Sequence, residues 1–278
     1  MLEKTILFTL VAFSAVGLNC SALRNINMYS TAEEVQLGEA LNKEIHKEMK
    51  ILSDEKINAF LETRGQKLVQ ACDRKDITYH FYLVNSEEVN AFAIPGGYCY
   101  VNLGLFRQSG SEAELISVLA HEINHVVHRH SMKKLTQMQL SGTIIDLATN
   151  SRLTANAANL LASGLFLQFS REEEREADHD GLLTMYGAGY NPQGMADMFV
   201  KLKANREGPE PGKWQNLFST HPITSDRIEE ARKLTASLPS KPDLIMNSAD
   251  WRGIIKYVNE KYPPPKKDEM AEGNRKGE

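Results

Sequence analysis

Long hydrophobic runs, a dominant charge and a dense set of cysteines are all missing from this 278-residue sequence. Acidic residues number 36 against 32 lysines and arginines, so the formal charge of −4 offers no basic groove for nucleic acid. The apolar stretches fall short of the roughly 20 residues that a membrane-spanning helix needs. The ordinary apolar fraction of 42% also excludes a wholly disordered chain. We therefore expect one soluble catalytic-sized domain and no nucleic-acid partner.

The amino-terminal segment has the shape of a secretory signal. Lys4 precedes a run at 6–18 that suits the hydrophobic region of such a signal. Cys20 follows directly, as the acylated cysteine does in bacterial lipoproteins. We expect residues 1–19 to be a signal peptide and residues 20–30 a tether. The expected address is the periplasm, with a lipid anchor on Cys20 that reaches the outer membrane.

Two further cysteines, Cys72 and Cys99, would remain in the mature chain. Neither lies in a catalytic pattern. In an oxidising compartment the sequence allows either a disulfide between them or two buried thiols.

The periodicity of the remaining chain predicts an α+β protein that is mainly α. Helical patterns begin at Thr31, where Glu34 gives capping-box spacing, and at Ser111 with Glu114. Aromatic and β-branched segments between them predict a small antiparallel sheet with a hairpin around Pro95, Gly96 and Gly97.

Two segments lie outside this regular pattern. The apolar stretch 141–169 allows either a core helix or a flap that faces a site or a membrane. The stretch 237–278, rich in proline and charge, predicts an irregular and finally disordered tail.

The segment HEINHVVHRH, residues 121–130, contains the pattern that carries chemistry. In a helix His121 and His125 lie one turn apart on the same face, so both imidazoles can bind one ion. Glu122 is displaced around the helix and suits a general base. Zinc is the ion that such a pair predicts. His128 and His130 are expected to be solvated or to support the ligating histidines.

A catalytic zinc requires a third protein ligand, which must come from elsewhere in the chain. The segment EREAD offers Glu174, with Asp178 one turn later to accept a hydrogen bond from a ligating histidine. From residue chemistry alone, other glutamates nearby remain equal candidates: Glu172, Glu173 and Glu176.

Four blocks in this order resemble the HtpX-like and CAAX prenyl protease-like zinc metallopeptidases, including periplasmic proteases of the BepA and LoiP kind. The blocks are NAFAIPGG, SEAELISVLAHEINHVVHRH, SREEEREADHDG and STHPITSDRI. The resemblance covers the expected peptidase domain at 31–236 and implies a zincin-like fold. It also implies one zinc per chain, Glu174 as the third ligand and Asp178 as the support of a ligating histidine.

The same resemblance implies that His221 lies near the metal, as an auxiliary ligand or as a donor to the oxyanion. It also places Asn90 in a strand that borders the cleft, where an extended substrate could add. The expected activity is hydrolysis of peptide bonds in unfolded or misassembled envelope proteins. The alternative is a periplasmic chaperone or assembly factor for outer-membrane proteins whose peptidase activity is repressed.

Overall fold

The computed structural model describes residues 26–141, 154–164, 168–205 and 211–264. The expected signal peptide, Cys20 and the first part of the tether lie outside the described residues. So does most of the segment 141–169 and the end of the chain from residue 265. Within the described ranges no helix is both long enough and apolar enough to cross a bilayer.

One four-stranded sheet forms the smaller part of the fold. Its strands are β1 (Ile51–Leu52), β2 (His80–Val84), β3 (Ala91–Ile94) and β4 (Tyr98–Asn102), in the order β1-β2-β4-β3. The predicted hairpin is confirmed, because β3 pairs antiparallel with β4. The sheet itself is mixed rather than antiparallel, since β2 and β4 run parallel. The sequence pattern could not show this pairing, because β2 and β4 are separated by the whole of β3.

The hairpin turn explains the two adjacent glycines in the sequence. Gly96 and Gly97 have φ angles of 81° and 90°, which side chains with a Cβ rarely adopt. A Cβ on Gly97 would also lie 2.5 Å from the carbonyl oxygen of Thr78. The turn places β3 at the edge of the sheet.

Helices make up most of the structure, so the predicted class, mainly α with a small sheet, is confirmed. They are α1 (Thr31–Glu48), α2 (Glu55–Ala71), α3 (Leu103–Gln108), α4 (Glu112–Val127), α5 (His130–Leu140), α6 (Ala157–Ala162), α7 (Arg171–Gly187), α8 (Gln193–Asn205), α9 (Gln215–Thr220), α10 (Ser225–Ser237) and α11 (Trp251–Lys261).

Helix α4 is the centre of the molecule and is buried along nearly its whole length. It packs against α7 and α8 on one side and against β3 and β4 on the other. Gly181 of α7 permits the close approach, since a Cβ there would lie 3.3 Å from the backbone nitrogen of His121. Burial on all sides explains why most of the residues in this helix are apolar.

The helix starts differ in detail from the predicted capping boxes. Helix α1 is capped one residue earlier, by Ser30 with Glu33, because the Ser30 hydroxyl accepts the Glu33 N–H. Ser111 caps α4 as expected by accepting the N–H of Glu114, 3.2 Å away. The Glu114 carboxylate accepts instead from the N–H of Gly110 at 2.8 Å, so the reciprocal half of that box is absent.

Glu34, expected in the first capping box, is buried and binds two arginines. Its carboxylate accepts from Arg74 at 2.9 and 3.0 Å and from Arg129 at 2.6 Å. Arg129 has a left-handed backbone (φ 55°) between α4 and α5. This network fixes α1 against the end of the helix that carries the HEINH motif.

The expected irregular tail is corrected in part, because α11 is a regular helix with three residues in the core: Trp251, Ile254 and Val258. Asp54, the N-cap of α2, anchors it by binding Lys261 (2.8 Å) and Tyr262 (3.0 Å). The prolines and charges that flank α11 obscured its apolar face in the sequence.

The two cysteines within the described residues do not form a disulfide. Cys72 and Cys99 are both buried free thiols. This selects the second of the two alternatives that the sequence left open.

Candidate metal centre

The HEINH motif lies on α4 as predicted, and its two histidines point into one enclosed space. His121 and His125 are about 95% and 97% buried. Their Nε2 atoms lie 2.9 Å apart. Helical spacing of four residues produces this convergence, because it places both rings on one face of α4. Two imidazole nitrogens so close together can share one cation.

Helix α7 brings a carboxylate to the same space. Glu174 is buried, with Oε1 3.5 Å from Nε2 of His125 and Oε2 3.6 Å from Nε2 of His121. The competing glutamates are used elsewhere or point outward. Glu172 is exposed, Glu173 accepts the N–H of Ser170 in the N-terminal cap, and Glu176 contacts His130. Of these four glutamates, only Glu174 faces the histidine pair.

His221 completes the group from the end of α9. Its Nδ1 lies 2.8 Å from Oε1 of Glu174 and 3.2 Å from Nε2 of His121. Ligand-type atoms of His121, His125, Glu174 and His221 all lie within 4.8 Å of one another. All four side chains are buried, so this group could hold a metal ion.

Asp178 and Arg227 form the wall behind the group. Oδ1 of Asp178 lies 2.9 Å from Nδ1 of His121, on the ring edge opposite the histidine pair. Arg227 donates to both oxygens of Asp178, at 2.6 and 2.7 Å, and lies 2.8 Å from Oε2 of Glu174. Such contacts fix the orientation of a ligating ring. The proximity of Asp178 to His121 agrees with its predicted place.

Arg227 was not identified from the sequence, although it lies in the STHPITSDRI block. A buried arginine needs an acidic partner, and the partner of Arg227 is Asp178 on another helix. The sequence does not show that these two helices meet. The signal in the sequence was an arginine on the apolar side of α10, next to buried Ile228. A long charged residue at such a position predicts a buried ion pair.

Glu122 lies beside the cluster rather than in it. Its Oε2 accepts the backbone N–H of Ala93 in β3 at 3.1 Å. Its Oε1 is buried, has no hydrogen-bond partner among the described residues, and lies 3.4 Å from Nε2 of His221. Burial raises the pKa of Glu122, although His221 and His121 oppose this shift. The Glu122 carboxylate therefore takes up a proton more readily than the carboxylate of an exposed glutamate does.

Electrostatics separate the roles of the charged groups. Burial and the neighbouring His121 hold the pKa of His125 well below its usual range, so the ring is neutral. Burial alone would raise the pKa of Glu174, but His221 and His125 hold it well below the usual value. For His221, the carboxylates of Glu174 and Glu122 overcome burial and raise the pKa to about 8.

The outer side of His125 is closed by two rings. Nδ1 of His125 lies 2.8 Å from Nδ1 of His130, whose Nε2 is 2.9 Å from Oε2 of Glu176. Phe169 stacks on the His125 ring with centroids 3.9 Å apart. His130 therefore supports His125, one of its two predicted roles. Phe169 gave no distinguishing signal in the sequence, because it ends an apolar segment.

Asn90 lies apart from the metal cluster, at the start of the edge strand β3. It is nearly buried, and it lines a cleft of about 590 Å³ with Phe92, Asn102, Ser219 and Thr220 among others. The last two residues directly precede His221 in the chain. Asn90 therefore lies next to a strand that borders a cleft, and its contact with substrate stays a prediction.

Comparison with protein families identifies the class of this site. The model of peptidase family M48 matches residues 43–235, which contain all four members of the buried group. The chain belongs to peptidase family M48. M48 proteins are metallopeptidases, and the convergence of the cluster on α4, α7 and α9 agrees with that membership.

Individual M48 relatives share a quarter to a third of their residues with this chain. The beta-barrel assembly-enhancing protease of Escherichia coli K12 is 25% identical, across 98% of this chain and 62% of that protein. A putative protein of the same name in Vibrio cholerae is 30% identical, across 81% and 49%. The mitochondrial metalloendopeptidase OMA1 of Schizosaccharomyces pombe is 33% identical, across 63% and 51%. The chain thus spans about half to three-fifths of these relatives.

Proposed function

We propose that this M48 metallopeptidase is a zinc-dependent endopeptidase that hydrolyses unfolded or misassembled proteins of the cell envelope. One observation carries the proposal. The Nε2 atoms of His121 and His125 and the carboxylate of Glu174 converge in a buried space. Oε1 of Glu122 lies beside it and has no hydrogen-bond partner in the part of the chain that the structure describes. Two imidazoles and one carboxylate are a donor set of catalytic zinc sites.

The chemistry of the donors fits a zinc ion. His125 is neutral and Glu174 is ionised, as ligands must be. Nδ1 of His121 faces Asp178 and Nδ1 of His125 faces His130, so each ring directs Nε2 inward. When bound, zinc supplies a Lewis acid that polarises a carbonyl and lowers the pKa of water. We assign its binding to His121, His125 and Glu174, with one ion at this cluster.

Glu122 is proposed as the general base. The N–H of Ala93 holds Oε2, so the other oxygen keeps a fixed position toward the cluster. A carboxyl with a raised pKa can accept a proton from the attacking water and return it to the amine that leaves. Because the N–H of Ala93 belongs to β3, this hydrogen bond fixes the proposed base relative to the strand beside the cleft.

The edge strand β3 supports a choice of substrate. An extended peptide can pair with an edge strand through its free backbone groups. In a folded protein most such groups are already paired with other parts of the same chain. A cleft of about 590 Å³ lies beside Asn90 and Phe92, and it is also lined by Ser219 and Thr220, which precede His221 in the chain. We propose that an unfolded segment lies there, with Asn90 as a polar contact for its backbone.

His221 is proposed to occupy the entrance used by water and substrate. Its Nδ1 lies 2.8 Å from Oε1 of Glu174 and 3.2 Å from Nε2 of His121. These distances are shorter than those from Glu174 to the Nε2 atoms of His121 and His125, which are 3.6 and 3.5 Å. That position fits an auxiliary ligand better than an oxyanion donor. Movement of His221 away from Glu174 would then precede catalysis.

The place of action is proposed from the amino-terminal sequence. A signal at residues 1–19 and acylation of Cys20 would export the protein and attach it to the outer membrane. Relatives named beta-barrel assembly-enhancing proteases support an envelope substrate. We expect Cys20→Ala to move the protein from the membrane fraction to the soluble fraction, because acylation is its proposed anchor. Persistence in washed membranes would contradict the anchor.

The name of those relatives also favours a second candidate, an assembly factor that holds unfolded outer-membrane proteins while its peptidase is repressed. Glu122→Gln distinguishes the two functions. For an endopeptidase, the variant should retain the zinc of the first cluster and lose digestion of unfolded casein by at least about 100-fold, because base and ligand are different residues. His121→Ala should lose both the zinc of the first cluster and the digestion. Digestion at the parent rate by Glu122→Gln would refute the mechanism.

A further inference from the structure

A second group of histidines and a carboxylate lies behind the first cluster. His128 and His130 come from the junction of α4 and α5, and Glu176 comes from α7. One ligand-type atom of each lies within 4.8 Å of the others. The His130 side chain is fully buried, that of His128 is 19% exposed and that of Glu176 is 45% exposed. The group therefore has an open side through which an ion can enter.

Asp180 determines how His128 presents its ring. Nε2 of His128 lies 2.7 Å from Oδ2 of Asp180, so a neutral ring carries its hydrogen on Nε2. The Nδ1 lone pair then faces Oε1 of Glu176 at 3.4 Å. A carboxylate behind the ring and an electron pair in front of it form the usual arrangement of a metal-ligating histidine. A cation near Nδ1 would remove the repulsion between that nitrogen and Glu176.

His130 links this group to the first cluster. Its Nε2 lies 2.9 Å from Oε2 of Glu176, and its Nδ1 lies 2.8 Å from Nδ1 of His125. Only one hydrogen fits between those two Nδ1 atoms. When His130 holds it, its Nε2 offers a lone pair beside Glu176. When His125 holds it, as a ligand in the first cluster does, a neutral His130 carries its own hydrogen on Nε2 toward Glu176 and must lose that hydrogen before it can bind an ion there.

We propose that His128, His130 and Glu176 form a second site for a borderline divalent cation such as Zn²⁺. Two imidazoles and a carboxylate suit that ion. The shared hydrogen makes the second site weaker than the first. An ion there would join the end of α4 to the middle of α7, the two helices that carry His121, His125 and Glu174. Binding of an ion at this second site does not require the protein to be an active peptidase.

Equilibrium dialysis of the whole chain against rising free Zn²⁺, with metal analysis, tests this site. We expect two binding steps and about two ions per chain. The second step should be at least about tenfold weaker, because the hydrogen-bond partners of a ligand usually change metal affinity by at least that factor. His128→Asn should bind one ion and keep the first step. Glu176→Gln should do the same. His179→Asn is the matched control, because His179 also contacts Asp180 but is exposed and lies outside the group.

A single step in the parent protein would overturn the second site, and so would a second step that survives in both His128→Asn and Glu176→Gln. Glu174→Gln separates this inference from the proposed function. It should remove the first step and leave the second. If Glu174→Gln leaves the first step intact while His128→Asn removes the second, the proposed zinc ligand is wrong and the second site stands.

Discussion

Asp178→Asn is the most informative single change near the metal cluster, because it alters charge with almost no change in shape. Asp178 faces Nδ1 of His121 at 2.9 Å and accepts two hydrogen bonds from Arg227. Burial by itself raises its pKa, but Arg227 and His121 hold the pKa below the usual value, so the wild-type side chain is an anion. The asparagine removes that charge and replaces one acceptor oxygen by a donor.

Two magnitudes follow from these contacts. Loss of the anion behind His121 should weaken zinc binding about 10- to 100-fold, which corresponds to about 1.4 to 2.7 kcal/mol. Arg227 keeps Glu174 at 2.8 Å but loses its bidentate partner. Hydrogen bonds to charged groups contribute about 1.5 to 3 kcal/mol, so the metal-free protein should lose stability in that range.

Two assays separate the effects. Competition with a zinc chelator measures affinity, and urea unfolding in excess chelator measures the stability of the metal-free fold. Glu172→Gln is the matched control, because Glu172 is an exposed acid on the same helix. Zinc affinity equal to that of Glu172→Gln, with a normal fold, would show that Asp178 does not support His121 and would refute the reasoning.

Two further predictions concern His221 and Asp54. His221→Ala should retain zinc and raise basal proteolysis of unfolded casein, because its ring fills the entrance beside Glu174; a fall of about 10²- to 10³-fold would identify an oxyanion donor instead. Asp54 is buried, which by itself raises its pKa, but Lys261, the Ile57 N–H and Tyr262 lower it to about 2. Its stabilisation is full above about pH 4 and is lost as the pH falls toward 2. Asp54→Asn, which can still cap α2, should therefore cost about 1 to 2 kcal/mol at pH 7 and much less near pH 2 in denaturant unfolding. An equal cost at both pH values would contradict the ion pair.

Local spacing made the histidine pair and the hairpin predictable. Residues four apart in a helix share a face whatever surrounds them, so His121 and His125 had to converge once the segment was helical. Gly96 and Gly97 marked the turn because few other residues adopt its backbone. The choice of Glu174 among four glutamates came from family resemblance, since each lies on the same acidic turn of α7.

Tertiary packing decided what no local pattern contains. The parallel pairing of β2 with β4 depends on which strands meet across the core, and the start of α11 depends on a pocket for Trp251. Arg227 became part of the centre only because α10 lies across α7. By itself the sequence determined which side chains could bind a metal, because helical periodicity is a local property. The fold decided which of them face one another, because distances between α4, α7 and α9 are set by packing over the whole domain.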